Sequence, residues 1–149
     1  MRISEILKSK GTNVVGLPPT SKLSEAIHLM QDRNVGSVII QDLHHHLLGI
    51  LSERDIVLAV AQHGVQVANM YVTQLMAKSS PVASVNDKVV DVMGTITNRR
   101  VRHLPVIDKE TDVVVGVVSI GDIVKARLAE TVAENAVLHD IARAHLAAA

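Results

Sequence analysis

The sequence predicts a mixed α/β (α+β) fold in which two βαββα-type units pack about a pseudo-twofold axis and a long helix ends the chain. Three observations carry this expectation. The phrase GILSERDIV at 49–57 returns as GVVSIGDIV at 116–124, with the Gly, Ser, Asp and final Ile-Val conserved between the copies. Each copy follows the same order of patterns, an amphipathic segment and then two aliphatic runs. One unit of about 60 residues without a disulfide or metal is marginal on its own. Two copies can each bury the sheet the other exposes.

The elements follow in order. ISEILKS at 3–9 is matched by VTQLMAK at 72–78, a short leading helix for each unit. An irregular strand follows each, near Val14–Leu17 and Val82–Val85. Leu23, Ala26, Ile27 and Met30 then meet Val89, Val92, Met93 and Ile96 at an offset of 66 residues. These apolar positions recur at i, i+3, i+4 and i+7, so each segment is an amphipathic helix. Ser24 or Thr20 is expected to cap the first, and Asn86 or Asp87 the second. The β-branched runs at 35–42 and 47–51, and at 101–108 and 113–118, read as paired strands around a short polar tip. Both units close on Ser-x-x-Asp and an apolar helix. From Asp122 onward there is no Gly or Pro, so the last helix runs on with Val124, Leu128, Val132, Leu138 and Ile141 along it. The expected organisation is a first unit at 1–66 with its leading helix, a second at 67–128, and a helical extension at 129–149.

Composition narrows the function. The 149 residues carry 15 Lys plus Arg and 15 Asp plus Glu, so the formal net charge is zero. Bulk attraction to nucleic acid or to an anionic membrane has no basis in that balance. With one Tyr and no Phe or Trp, base-stacking platforms are missing. With no Cys there is no disulfide framework, thiolate metal site or thiol nucleophile. No apolar run reaches the roughly 18–20 residues of a membrane span, and the first residues lack a signal-peptide core. The expectation is a soluble cytoplasmic protein without nucleic-acid or membrane partners. No P-loop, His-Glu-x-x-His or Gly-x-Ser-x-Gly occurs, so it is not read as an enzyme.

RVRHLPVID, VVGVVSIGDIVK and LGILSERDIV, in this order and duplicated, resemble the cystathionine-β-synthase (CBS) domains that occur as tandem pairs, or Bateman modules. The resemblance covers about residues 3–128 and points to a stand-alone bacterial-type pair. It implies adenine nucleotides or related adenosyl ligands held in clefts between the units, and association into a homodimer. AMP, ADP or ATP is the expected ligand, with NAD or S-adenosylmethionine as related possibilities, and no further cofactor is required.

The repeated residues suit that chemistry. Asp122 opens the final helix and Ser119 stands on the turn before it. A carboxylate accepts ribose hydroxyls, while a hydroxyl and free helix N–H groups suit phosphate oxygens. The same spacing also makes a plain capping box, and both roles can coexist. Gly121 is read as keeping the turn open. Ser52 and Asp55 repeat the pattern with Arg54 in place of the glycine, to grip phosphate or to fill the cleft. The clefts are therefore unequal, and the Ser119–Asp122 cleft is expected to be the better site. Arg102 and His103 lie in the densest positive cluster, suited to phosphate but also to a solvated strand edge. Gly36 at the matching position allows close approach. By family position, Thr12, Val14 and Val15 approach the Ser119 cleft, and Ser80 and Val82 the Ser52 cleft. His44–His46 alternate in direction at a strand tip and are read as solvated rather than as a metal site. The alternative function is a protein–protein adaptor, with an unidentified effector protein and nucleotide incidental.

Overall fold

The computed structural model describes residues 1–149. In chain order the elements are α1 (Ile3–Lys10), β1 (Gly16–Leu17), α2 (Leu23–Arg33), β2 (Ser37–Gln41), β3 (Leu47–Ser52) and α3 (Glu53–His63). A 3-10 turn (Gly64–Asn69) leads to α4 (Val72–Leu75), β4 (Ala83–Ser84), α5 (Val89–Arg99), β5 (His103–Asp108), β6 (Val113–Ser119) and α6 (Ile120–Ala148). The expected helix faces are the buried ones: Leu23, Ala26 and Met30 on α2, and Val89, Val92 and Ile96 on α5. Ile27 is the exception at 38% exposure. Both helices stop in a left-handed residue at the same place in the repeat, Asn34 (φ 52°) and Arg100 (φ 53°).

The caps differ from expectation. The N-cap of α2 is Lys22, whose N–H donates to Glu25 Oε2 at 2.7 Å, and the N-cap of α5 is Lys88. Neither Thr20 nor Ser24 caps α2. Asp87 instead accepts from the Ser84 N–H at 2.8 Å, closing the turn before α5. Glu25, inside the first turn of α2, takes the N-cap N–H and places a negative charge at the helix start.

Each unit forms a three-stranded sheet, ordered β1-β2-β3 and β4-β5-β6. The first strand runs parallel to the second, and the second antiparallel to the third. Even the irregularity repeats, between Ile40 and Gln41 and again between Val106 and Ile107. The leading strands pair over only two residues each, shorter than the apolar runs suggested.

The cores do not follow the chain order. Ile3, Ile6 and Leu7 of α1 are buried with Val89, Leu104, Val118 and Ile123 of the second unit. Val67 of the 3-10 turn and Val72 of α4 are buried with Leu23, Val38 and Leu51 of the first. A division at residue 66 therefore matches the repeat in the chain, but α1 belongs in space with the second core and α4 with the first. Backbone bonds fix the exchange: Ile3 N–H donates to Asp87 O at 3.0 Å, and Val72 N–H to Ser21 O at 2.9 Å. The repeated glycines explain themselves here. A Cβ on Gly116 would stand 2.7 Å from Leu7 Cδ2, and one on Gly49 2.5 Å from Met76 Sδ. Each glycine makes room for the exchanged segment. A third cluster, Ile39, Ile50 and Val114 with Val14 and Val117 against it, joins the two sheets. The extension is continuous with α6, and its last buried residue is Ala126.

Overpacking at Gly116→Ala should cost about 1–3 kcal/mol, and Leu7→Ala about 2–5 kcal/mol. Urea unfolding of the double variant should show less than the sum, because the new methyl enters space that Leu7 vacates. Strict additivity would contradict the exchanged packing.

Candidate functional site

Two strand-to-helix turns, β3 to α3 and β6 to α6, present the same groups. At Ser119 the backbone is extended (φ −100°, ψ 164°), so the chain enters α6 with its hydroxyl over the first turn. Ser119 N–H donates to Asp122 Oδ2 at 2.8 Å, and Asp122 N–H donates to Ser119 Oγ at 3.2 Å. At Ser52 the backbone N–H and the hydroxyl both donate to Asp55 Oδ2 at 2.8 Å, and the hydroxyl accepts from Asp55 N–H at 3.4 Å. The capping reading of Ser-x-x-Asp is thus realised at both turns. In each carboxylate the other oxygen, Oδ1, receives no protein donor.

A cleft opens beside each turn. The one at Ser119 has a volume of about 300 Å³, and its walls include Lys10, Asn13, Val15, Gly36 and His103. The one at Ser52 and Asp55 has a volume of about 640 Å³, and its walls include Arg54, Ser80, Arg100, Arg102 and His103. The larger of the two clefts is therefore in the first unit. Lys10 lines the smaller one. Its ammonium donates to Asp122 Oδ2 at 2.6 Å and to Val117 O at 2.9 Å, and so occupies the smaller cleft.

Gly36 and His103 line both clefts, which makes them the shared wall. A Cβ on Gly36 would come within 3.1 Å of His103 Cε1, so any larger residue there would press on the ring. The leading strands divide as the repeat suggested in part. Val15 reaches the Ser119 cleft and Ser80 the Ser52 cleft. Thr12 and Val14 instead line a surface hollow with Gln41 and His45 near the strand tips, and Val14 also packs on the seam between the sheets. Val82 is 45% exposed and lines neither cleft. Gly121 lies within α6, where a Cβ would meet only Ser119 Oγ at 3.6 Å, so the space beside it is open. Lys10, Asn13, Glu53 and Arg100 join the walls without having been singled out as site residues. Arg100 was legible in the positive cluster. Lys10 had no local signal, since its partner lies 112 residues away.

At the strand tip, Asp42 Oδ1 accepts from the N–H groups of His44 (2.8 Å) and His46 (3.0 Å), and His45 takes φ 64°. The carboxylate is committed to the turn, and the rings of His44 and His46 lie 6.1 Å apart.

Two groups at the clefts are shifted. Burial opposes ionisation of Asp122, but the Lys10 ammonium and the Ser119 donors outweigh it, and its carboxyl titrates below the ordinary value. For His103, burial leads in the other direction and lowers its value. Glu53 pulls it back up, while Lys10 and Arg102 push it further down. His103 is therefore a neutral imidazole at neutral pH.

This fold and these turns define a class: paired βαββα units that exchange leading helices and hold a ligand-sized cleft beside each Ser-x-x-Asp. The CBS domain family model matches residues 3–62 and 72–129, and the chain belongs to the CBS domain family. A CBS-domain containing protein from Agrobacterium tumefaciens superposes with a TM-score of 0.80 at 33% identity, over 85% of this chain and 99% of that one. A CBS domain protein from Pyrobaculum aerophilum, solved in complex with AMP, has a TM-score of 0.71 at 27% identity, over 82% and 89%. The CBS domain pair of protein MJ0100, solved with 5-methylthioadenosine and S-adenosyl-L-methionine, has a TM-score of 0.77 over 87% and 98%. At 22% identity that last likeness concerns the fold alone. The chain spans 73%, 63% and 57% of the length of three curated relatives it matches. No helix is long and apolar enough to cross a membrane.

Because burial holds His103 below its ordinary value of 6.5, the unfolded chain binds the extra proton first as pH falls. Stability should therefore rise with pH through the window that ends near 6.5, and be lost below it. Chemical denaturation across that window should show a smaller slope in His103→Gln than in the parent. An unchanged slope would remove His103 from the pH dependence.

Proposed function

We propose that this protein is a non-catalytic regulatory module that binds an adenine nucleotide between its two units, with the Ser52–Asp55 cleft as the principal site. The observation that carries the reading is the composition of that cleft. A free carboxylate oxygen at a helix start stands in the same hollow as Arg54, Arg100 and Arg102. The volume, about 640 Å³, is that of a small-ligand pocket. Asp55 suits the ribose hydroxyls, and the arginines suit the phosphates because guanidinium presents several donors in a fixed fork. Ile50, Val57, Ala77 and Val101 supply an apolar wall for the base. The AMP complex of the Pyrobaculum aerophilum protein supports an adenosyl ligand. AMP, ADP and ATP fit this charge better than a cationic S-adenosyl compound.

Binding would regulate by favouring one arrangement of the units or of a homodimer, and only to the extent that the ligand prefers that arrangement. A second reading, an adaptor surface, is favoured by one specific observation. Val124, Leu128, Val132, Leu138 and Ile141 of α6 are 48–68% exposed, and Leu58 and Val60 of α3 about as much. We propose that a second copy covers this surface, in the cytoplasm.

Calorimetric titration with AMP, ADP, ATP, NAD and S-adenosylmethionine should give binding to at least one nucleotide, and no heat with any would end the nucleotide reading. Asp55→Ala should weaken AMP binding about tenfold or more. Asp122→Ala should weaken it less, and the opposite order would restore the Ser119 cleft as principal. Removing residues 131–149 should shift the mass in light scattering from dimer to monomer; an unchanged mass would place the contact elsewhere.

A further inference from the structure

We infer that His103 makes the binding of an anionic ligand in either cleft proton-linked, its neutral ring taking up a proton from solvent as the anion arrives. The inference rests on the nucleotide reading above and concerns how that binding is regulated.

Three features fit His103 for this role. The first is position. The residue opens β5 opposite Ser119 of β6 and lines both clefts, and Gly36 is the only other residue they share. Ring atoms Cε1 and Nε2 lie 3.1 and 3.3 Å from where a Cβ on Gly36 would stand, and Glu53 Cδ lies 3.5 Å from that same point. The polar edge of the ring and a carboxylate thus meet at the seam between the hollows. The second is freedom: the neighbours act on the ring through charge, and no hydrogen bond within the protein commits either nitrogen. The third is balance. Glu53 at the start of α3 and Asp122 at the start of α6 favour the imidazolium. Lys10 at the end of α1 and Arg102 just before β5 oppose it, and burial tips the ring to neutral. Arg54, Asp55 and Arg100 stand in the same larger hollow. The matched position in the first unit is Ser37, which carries no titrating ring, so the device occurs once per chain.

An entering anion shifts this balance twice. It adds a negative charge beside the ring, which favours the charged form. It also draws Arg102 in the larger cleft, or Lys10 in the smaller, into a new ion pair, which weakens a cation that opposes protonation. The two effects have the same sign. The ligand removes some water from the ring as well, and a full charge within hydrogen-bonding reach outweighs that loss. Among the lining residues His103 is the only imidazole, the side chain whose charge changes near neutral pH. The occupied protein holds the proton to higher pH than the free protein does. Affinity therefore rises as pH falls through that window and levels off below the midpoint of the free ring. No covalent bond to the ligand forms.

The test uses the full chain with AMP, or with ATP if AMP gives no heat. Calorimetric titration near neutral pH, in buffers of different ionisation heat, counts the protons taken up. The parent should take up more than His103→Gln, and the comparison cancels the proton exchange of the nucleotide's own phosphate, which titrates near pH 6. Between about pH 8 and about pH 6.5 the parent should tighten on the nucleotide about threefold or more relative to the variant. Proton NMR of the His103 ring, identified by the resonance lost in His103→Gln, should show its midpoint move up on binding. Should that variant fail to fold, His103→Ser, the residue of the matched position, takes its place. Equal proton uptake in parent and variant, or a midpoint that the nucleotide leaves in place or lowers, would overturn the inference and leave the nucleotide reading standing. If the parent binds neither AMP nor ATP, that reading fails and the inference falls with it.

Discussion

The structure depends on the exchange of leading helices. The three apolar side chains of α1 are sealed into the second core, and Val72 of α4 into the first. Each unit's core is thus closed by the other unit's leading helix, which ties the two halves together. The exchange also draws the following segments, 11–17 and 77–84, across the boundary between the units. Those crossings form walls of the clefts. Val15 thereby reaches Ser119, and Ser80 reaches Asp55. Covering the hydrophobic core and shaping the ligand hollows are one packing event.

The strand-to-helix turns show how a stabilising device is reused. A helix start leaves donors unsatisfied, and Ser-x-x-Asp satisfies two of them. At both turns the bond geometry commits one carboxylate oxygen to the cap and leaves the other without a protein donor. Capping and ligand binding therefore do not compete for the same atoms. The cap instead holds the acceptor in one orientation before any ligand arrives.

Local charge separates the two clefts although the chain as a whole is neutral. One cleft collects three arginines around a free carboxylate. In the other, a single lysine is already paired with the aspartate. The imidazole of His103 stands between them as a shared wall, kept neutral by its own burial and by the cations on either side. An internal repeat of fold and pattern has thus produced two chemically different hollows, because differences between the copies (Arg54 for Gly121, Lys10 for Ser79) lie at their walls or at the turns that flank them.

The sequence by itself determined the local structure. The 66-residue offset, the helical spacing of Leu23, Ala26 and Met30, and the β-branched runs are short-range signals, and the elements stand where they point. The Ser-x-x-Asp turns were equally legible, since a cap acts within one helical turn. Tertiary structure alone decided three other matters: which core each leading helix enters, which cleft is larger, and which carboxylate carries a lysine. All three are contacts between residues far apart in the chain; Lys10 and Asp122 are separated by 112 positions. Periodicity and spacing report what a residue does to its near neighbours. Only the packed molecule fixes which distant side chains compete for the same space and the same charge.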